Sequence, residues 1–170
     1  VNIISTEFVE NTVGGHGIFV FQCSDVHINA EFYNNTLKTA INSLDTSDLN
    51  IEDSIFTGNT FEYAIYSESE HNQKITDSTF TENTVKSVVY SDENKLSVIG
   101  STFSANTLSD VGALKIKRKD ATIDDCLFVE NKADHYRNIY SEFYPKISNT
   151  TFDAINVDFT VYDIDYGESE

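Results

Sequence analysis

The protein has 170 residues, and its 28 acidic and 11 basic side chains give a net charge of −17 at neutral pH. Nucleic acids and anionic membrane surfaces both attract basic proteins, so this charge argues against either as a direct partner. The chain also lacks the run of about 20 apolar residues that a membrane-spanning helix requires, and the sequence predicts no direct membrane insertion.

A phenylalanine recurs along the chain at a nearly constant interval. Successive members are separated by 24, 24, 24, 23, 25 and 24 residues, and an asparagine follows each of the first six after three residues. The phenylalanines are Phe8, Phe32, Phe56, Phe80, Phe103, Phe128 and Phe152, and the asparagines are Asn11, Asn35, Asn59, Asn83, Asn106 and Asn131. A fixed period of this length indicates a stacked-repeat architecture.

The residues before each phenylalanine predict a turn and then a short strand. Isoleucine or valine stands five residues before it in six repeats, and the second repeat, one residue short, offers Ile28 instead. A turn-forming residue stands three before it, and a small residue two before it. The turn formers are Ser5, Asn29, Asp53, Asp77, Gly100, Asp125 and Asn149. The alternation of small residue, mixed residue and phenylalanine points the phenylalanine inward.

A second strand follows each asparagine. Ala64-Ile65-Tyr66-Ser67 and Val88-Val89-Tyr90-Ser91 are typical. Lys115 aligns with the tyrosines, and a lone lysine is rarely buried. The pattern therefore predicts that the Ile/Val/Leu position points inward and the tyrosine position points outward.

Short strands that each lie beside their copy one period later form a parallel β-helix. The predicted fold class is an all-β, right-handed parallel β-helix of about seven coils of about 24 residues. Residues 1–162 are assigned to the repeats, and residues 163–170 to an acidic tail or a continuation into the next region. We expect the chain to be a segment of a longer protein.

The asparagine column has two interpretations, a ligand site and an internal ladder of stacked side-chain amides. Asparagine tolerates the left-handed conformation that tight turns require, and stacked amides stabilise such ladders. The strict recurrence favours the ladder. Ile155 replaces asparagine in the seventh repeat, where the regular stack is expected to end.

Cys23 and Cys126 are predicted to be free thiols. They stand about four repeats apart, which at ~4.8 Å per coil is far beyond the reach of a disulfide. Cys126 belongs to the small inward column and is therefore expected in the core.

The repeats resemble those of polymorphic outer membrane proteins and related right-handed β-helix adhesins of the pectin-lyase-like superfamily. The resemblance rests on the Phe-x-x-Asn motif and on a degenerate Gly-Gly-Ala-Ile motif. The second motif is present at Gly14-Gly15-His16-Gly17-Ile18 and Val111-Gly112-Ala113-Leu114. In such families these repeats build the ectodomains of surface proteins. The resemblance implies an extracellular or cell-surface location and a non-catalytic role.

Because this superfamily includes pectinases, an enzymatic function has to be weighed. Gly15-His16-Gly17 and Asp124-Asp125 resemble polygalacturonase motifs, but they occur in reversed order and several coils apart. Glycosidase carboxylates must flank one bond within roughly 10 Å. A pectate lyase would need an arginine near the substrate. The alternation around Arg118 instead predicts a solvated outward face for this side chain. His16, His27, His71 and His135 show no metal-ligand spacing.

Two surfaces remain as candidate binding sites. Exposed aromatic residues at one position per coil could stack on sugars or on another protein; they are Phe19, Tyr66, Tyr90, Tyr140 and Tyr162. The alternative is that they pack against each other and neighbouring loops.

The second candidate surface is an acidic loop edge that comprises Asp45, Asp48, Glu68, Glu70, Asp92 and Glu93. Calcium favours clustered oxygens and is the one ion that this edge could bind, although no loop has the regular spacing of a calcium repeat. No other cofactor is predicted.

Asn34 and Asn149 begin Asn-x-Thr sequences that fit N-glycosylation acceptors in a secreted eukaryotic protein.

The sequence as a whole predicts a structural or adhesive segment whose partners are other proteins of a surface or filament assembly. The alternative is a polysaccharide-binding or polysaccharide-degrading protein.

Overall fold

The chain winds into successive coils of short strands and turns. The computed structural model describes residues 1–92, 95–117 and 120–153. Glu93, Arg118, Ile155, Tyr162 and residues 163–170 lie outside the described residues. Where the sequence predicts about seven coils, the described part contains strands of six coils and the first two strands of a seventh.

The strands follow one another coil by coil. Coil 1 contains β1 (Asn2–Val9) and β2 (Thr12–Phe21), and coil 2 contains β3 (Val26–Tyr33) and β4 (Thr36–Leu44). Coil 3 contains β5 (Asp48–Glu52), β6 (Ile55–Thr57) and β7 (Tyr63–Glu68). Coil 4 contains β8 (Asn72–Thr76), β9 (Thr79–Thr81), β10 (Thr84–Val85) and β11 (Ser87–Asp92). Coil 5 contains β12 (Lys95–Ile99), β13 (Thr102–Ser104), β14 (Thr107–Val111) and β15 (Leu114–Ile116). Coil 6 contains β16 (Thr122–Asp124), β17 (Leu127–Val129), β18 (Lys132–His135) and β19 (Ile139–Ser141), and β20 (Lys146–Ser148) and β21 (Thr151–Phe152) begin the seventh.

All strand pairs are parallel, and each strand pairs with its counterpart in the next coil. A 12-stranded sheet holds the strands on both sides of the first turn, and β5 and β6 both pair with the longer β3. The last strand of each of coils 1 to 6 belongs to a six-stranded sheet, which contains β2, β4, β7, β11, β15 and β19. A separate three-stranded sheet contains β10, β14 and β18. The all-β parallel solenoid predicted from the repeat is confirmed.

Residues in the left-handed backbone conformation bend the chain between strands and, in coil 1, within β1. Ser5, Asp53, Asp77, Gly100, Asp125 and Asn149 all have positive φ, as their turn-forming type predicts. Asn29 is the exception, and its assignment to a turn is wrong. The segment from Ile28 to Phe32 is one residue shorter than its counterpart in coil 1, so β3 runs through this position as continuous strand. A second left-handed column, which the sequence analysis did not predict, directly precedes the ladder asparagines; it contains Glu10, Asn34, Gly58, Glu82, Ala105 and Glu130.

The phenylalanines form one stack through the centre of the solenoid. Their ring centroids are 4.5 Å apart at Phe8–Phe32 and 5.2 Å apart at Phe128–Phe152, with nearly parallel planes. The five inner rings are fully buried. Because each ring is covered on both faces by identical rings, the repeat period and the core are the same feature.

The six asparagines bond to one another along the stack. Asn59 Nδ2 donates to Asn83 Oδ1 at 2.9 Å and to the Phe32 carbonyl at 2.8 Å. The Asn59 backbone N–H also donates to Asn83 Oδ1 at 3.0 Å. The same pattern runs from Asn11 to Asn131, where Asn138 Oδ1 accepts the last bond at 3.3 Å. The inner amides therefore use their hydrogen-bonding groups within the ladder.

Both cysteines are free, as predicted. Cys126 is buried in the small inward column, and burial raises the pKa of its thiol.

Candidate functional site

The outward aromatic residues stand at one position of the six-stranded sheet. Parallel pairing places Phe19, Asn42, Tyr66, Tyr90, Lys115 and Tyr140 in register on coils 1 to 6. We call this set the aromatic column. It brings together four of the five predicted stripe residues, and the fifth, Tyr162, lies outside the described residues.

The members of the aromatic column differ widely in exposure. The Phe19 side chain is 54% exposed, Tyr66 and Tyr140 are half-buried, and Tyr90 is only 8% exposed. The Tyr66 ring stacks on the Tyr90 ring at a centroid distance of 4.9 Å. The ammonium groups of Lys115 and Lys117 lie 5.6 and 5.5 Å from the centroid of the Tyr90 ring. The expectation that Tyr90 is exposed is therefore wrong, because its neighbours on coils 3 and 5 cover it.

The tyrosine hydroxyls donate to carboxylates of the acidic loop edge. Tyr66 Oη donates to Glu68 at 2.8 Å, and Tyr90 Oη donates to Asp92 at 2.8 Å. In each pair the residues are two apart, so both side chains lie on the same face of the strand. Burial, together with these hydrogen bonds, raises the pKa of both tyrosines.

Two further carboxylates of the acidic edge accept hydrogen bonds from neighbouring coils. Asp45 accepts a bond from Gln22 at 3.2 Å, and Asp48 accepts one from Asn72 at 2.8 Å. Within the described residues, no group of three or more histidine, cysteine or acidic side chains is arranged to hold a metal ion.

A slot interrupts the aromatic column at coil 2. Two neighbouring outward positions carry rings on coil 1, His16 and Phe19, and again on coil 3, Tyr63 and Tyr66. Between them, coil 2 carries only the short polar side chains of Thr39 and Asn42. The resulting cavity has a volume of about 300 Å³, and its lining includes His16, Lys38, Asn42, Glu62, Tyr63 and Tyr66. We call it the coil-2 slot.

Polar groups surround the coil-2 slot. Asn42 Nδ2 lies 3.1 Å from His16 Nε2, and the His16 ring stacks on Phe19 at 5.6 Å. Partial burial lowers the pKa of His16, and the positive charge of Lys38 lowers it further. Asn42 is 8% exposed, and its Oδ1 is buried without a hydrogen-bond partner among the described residues.

Sequence reasoning missed this slot. It treated His16 as part of Gly-His-Gly and as one of four histidines without metal-ligand spacing, and it did not single out Asn42. The available signal was the alignment, since Asn42 occupies a tyrosine position and Thr39 a position that carries a ring in both neighbouring coils.

The other candidate residues are scattered. The described structure places His16 in β2 of coil 1 and Asp124 in β16 of coil 6, and it does not bring them together. Asp124 Oδ1 accepts bonds from Ser148 Oγ at 2.7 Å and Asn149 Nδ2 at 3.0 Å. The possible glycosylation residues Asn34 and Asn149 are both exposed, in left-handed turns.

Comparison with known proteins addresses the fold. A family profile described as right handed beta helix region matches residues 1–152. The chain belongs to the right-handed β-helix family. A search of curated proteins finds no match to this β-helix chain. Among its described residues, no helix is long and apolar enough to span a membrane.

Proposed function

We propose that this β-helix is a non-catalytic segment of a large extracellular or cell-surface protein, where it forms a stiff stalk, filament component or surface-coat element with an adhesive face. The main support for the proposal is that the residues that recur in every coil are buried in the core or bonded to one another. The inner phenylalanines are fully buried, and the inner asparagines are saturated by bonds to one another and to backbone. Side chains committed to the core in this way are not available to a substrate.

Two further observations support a surface role. The Phe-x-x-Asn repeats resemble those of polymorphic outer membrane proteins, whose β-helices form ectodomains. The outward aromatic column offers a binding face for other proteins of a surface or filament assembly. The net charge of −17 disfavours nucleic acid as a partner.

The second candidate function is polysaccharide binding or degradation. The coil-2 slot favours binding, because it combines aromatic walls with polar groups. Degradation has less support. His16 and Asp124 lie about five coils apart, or ~24 Å along the axis at ~4.8 Å per coil, whereas glycosidase carboxylates act within roughly 10 Å of each other.

Two measurements test the proposed function. Antibodies against this chain are expected to label intact, unpermeabilised cells of the source organism or its extracellular material. The purified chain is expected to release no unsaturated or reducing uronides from polygalacturonate. Labelling only after permeabilisation would contradict the location, and uronide release that persists through repurification would contradict the non-catalytic role.

A further inference from the structure

The coil-2 slot has the dimensions of one missing ring in a stacked column. Adjacent coils are ~4.8 Å apart, and the tyrosines on coils 3 and 4 stack at 4.9 Å. The rings of coils 1 and 3 are thus ~9.6 Å apart along the axis. A ligand ring placed at the level of coil 2 would stand at stacking distance from both.

The walls of the slot are suited to the apolar face of a ring. Tyr66 is covered by Tyr90 on its coil-4 side, so its opposite face is turned towards Asn42. Tyr63 lies beside it at 5.5 Å and widens this wall. The opposite wall is formed by His16, whose ring is supported by Phe19 at a centroid distance of 5.6 Å.

The floor and rim of the slot are suited to hydroxyl groups. Asn42 Oδ1 is a buried acceptor to which no described residue donates, and a buried polar group in that state is unfavourable until it receives a hydrogen bond. Glu62 is held at the rim by Lys86 at 3.4 Å, while Glu68 and Lys38 also border the cavity. An aromatic hydrocarbon ring from a partner would fill the slot but donate no hydrogen bond to Asn42 Oδ1, whereas a sugar hydroxyl group can donate one.

Charge narrows the class of ring further. Two carboxylates and one ammonium group line the slot, on a chain with a net charge of −17. A uronate would be repelled by this field. An uncharged pyranose has an apolar face for the tyrosines and hydroxyls for the rim.

We propose that the coil-2 slot binds one pyranose unit of a neutral glycan, stacked between the rings of coils 1 and 3 above Asn42. This inference rests on the proposed adhesive function and names the ligand class of its binding face. Asn42 and Thr39 are then the residues that create the site, because a tyrosine at either position would close it.

The test measures binding of the purified full chain to neutral hexopyranose oligosaccharides by titration calorimetry and by NMR shift changes. Asn42→Tyr continues the tyrosine column and fills the slot, so it should preserve the fold and lower affinity at least tenfold. Tyr66→Ala removes one wall and should lower affinity about tenfold. Asn50→Tyr, at an outward position of the other large sheet, is the matched control and should bind as the parent chain does.

Each alternative outcome has a distinct meaning. Unchanged glycan binding by Asn42→Tyr, or no binding by the parent chain to any neutral oligosaccharide, overturns the glycan site. Equal or tighter binding of oligogalacturonate overturns the preference for a neutral ring. If a tyrosine-containing peptide binds instead and Asn42→Tyr blocks it, the adhesive function survives and the glycan assignment does not. Cleavage of the oligosaccharides would contradict the proposed non-catalytic function itself.

Discussion

Single residues decide where the repeated pattern becomes a specific surface. Asn42 differs from its aligned neighbours Tyr66 and Tyr90 only in the size and chemistry of its side chain, yet that difference opens a cavity of about 300 Å³. The same residue also contacts coil 1, because Asn42 Nδ2 lies 3.1 Å from His16 Nε2.

The titration of His16 is the first prediction. Burial, and secondarily Lys38, favours the neutral imidazole, so the pKa of His16 should lie below the ordinary value of 6.5. The stability that this histidine contributes is fully present above pH 6.5 and is lost as the pH falls through the lowered pKa. NMR titration of the His16 ring protons measures the midpoint.

Two variants separate the causes of this shift. Lys38→Gln should raise the midpoint only part of the way, since burial is the larger cause. Lys86→Gln, at a lysine paired with Glu62, should leave it nearly unchanged. A His16 midpoint at or above 6.5 in the parent chain would show that the imidazole is not buried as described.

At the scale of the elements, the strands are held in register by columns of like residues. Each coil contributes one phenylalanine and one asparagine to stacks that run parallel to the axis. A substitution in the middle of such a column affects both neighbouring coils, whereas one at its end affects a single neighbour.

The asparagine ladder gives the second prediction. Asn83→Ala removes bonds to Asn59, Asn106 and the Phe56 carbonyl and leaves buried groups unpaired. At about 1 kcal/mol per bond plus the unpaired groups, the free energy of unfolding should fall by about 3–5 kcal/mol. Urea unfolding followed by circular dichroism measures the loss.

The matched control for this prediction is Asn11→Ala at the first coil. Asn11 is exposed and donates only to Asn35 Oδ1, so its loss should have a cost of about 1 kcal/mol or less. Equal losses for the two variants would mean that the ladder is not a cooperative stack.

Gln73 provides the third prediction, in the opposite direction. It is 1% exposed between Leu49 and Leu96 of the adjacent coils, and neither its Oε1 nor its Nε2 has a partner among the described residues. Gln73→Leu should therefore raise the free energy of unfolding by about 1–3 kcal/mol. Lys74→Leu on the outward face should change it little, and a loss of stability in Gln73→Leu would show that the amide is satisfied after all.

For the whole molecule, charge opposes the fold that the columns stabilise. Twenty-eight acidic side chains against 11 basic ones give a net charge of −17, and the described chain has only three salt bridges between side chains. Self-repulsion of this kind destabilises a folded state and is screened by salt.

The fourth prediction is that salt stabilises the protein. Raising sodium chloride from about 20 mM to about 300 mM shortens the screening length several-fold. The melting temperature should rise by about 2–4 °C for each 1 kcal/mol of repulsion relieved. Calcium chloride at matched ionic strength should give the same rise, and an unchanged or lower melting temperature in sodium chloride would contradict the repulsion argument.

The sequence by itself determined the repeat and everything that depends on it. The period, the inward phenylalanines, the turn residues at six of seven positions and the parallel pairing could be predicted because every coil must present the same residue to the next. The spacing of the repeated residues therefore predicts the stacking of the coils, and the match to the right-handed β-helix family agrees with this fold.

Only the tertiary structure decided which outward residues are covered and which border a cavity. Tyr90 is buried because Tyr66, Lys115 and Lys117 converge on it from other coils. The slot exists because two short side chains on coil 2 lie between rings on coils 1 and 3. Exposure and cavities depend on packing between side chains that are about 24 residues or more apart in the sequence. The outward position accepts different residue types in different coils, so the repeat period does not predict how those side chains pack.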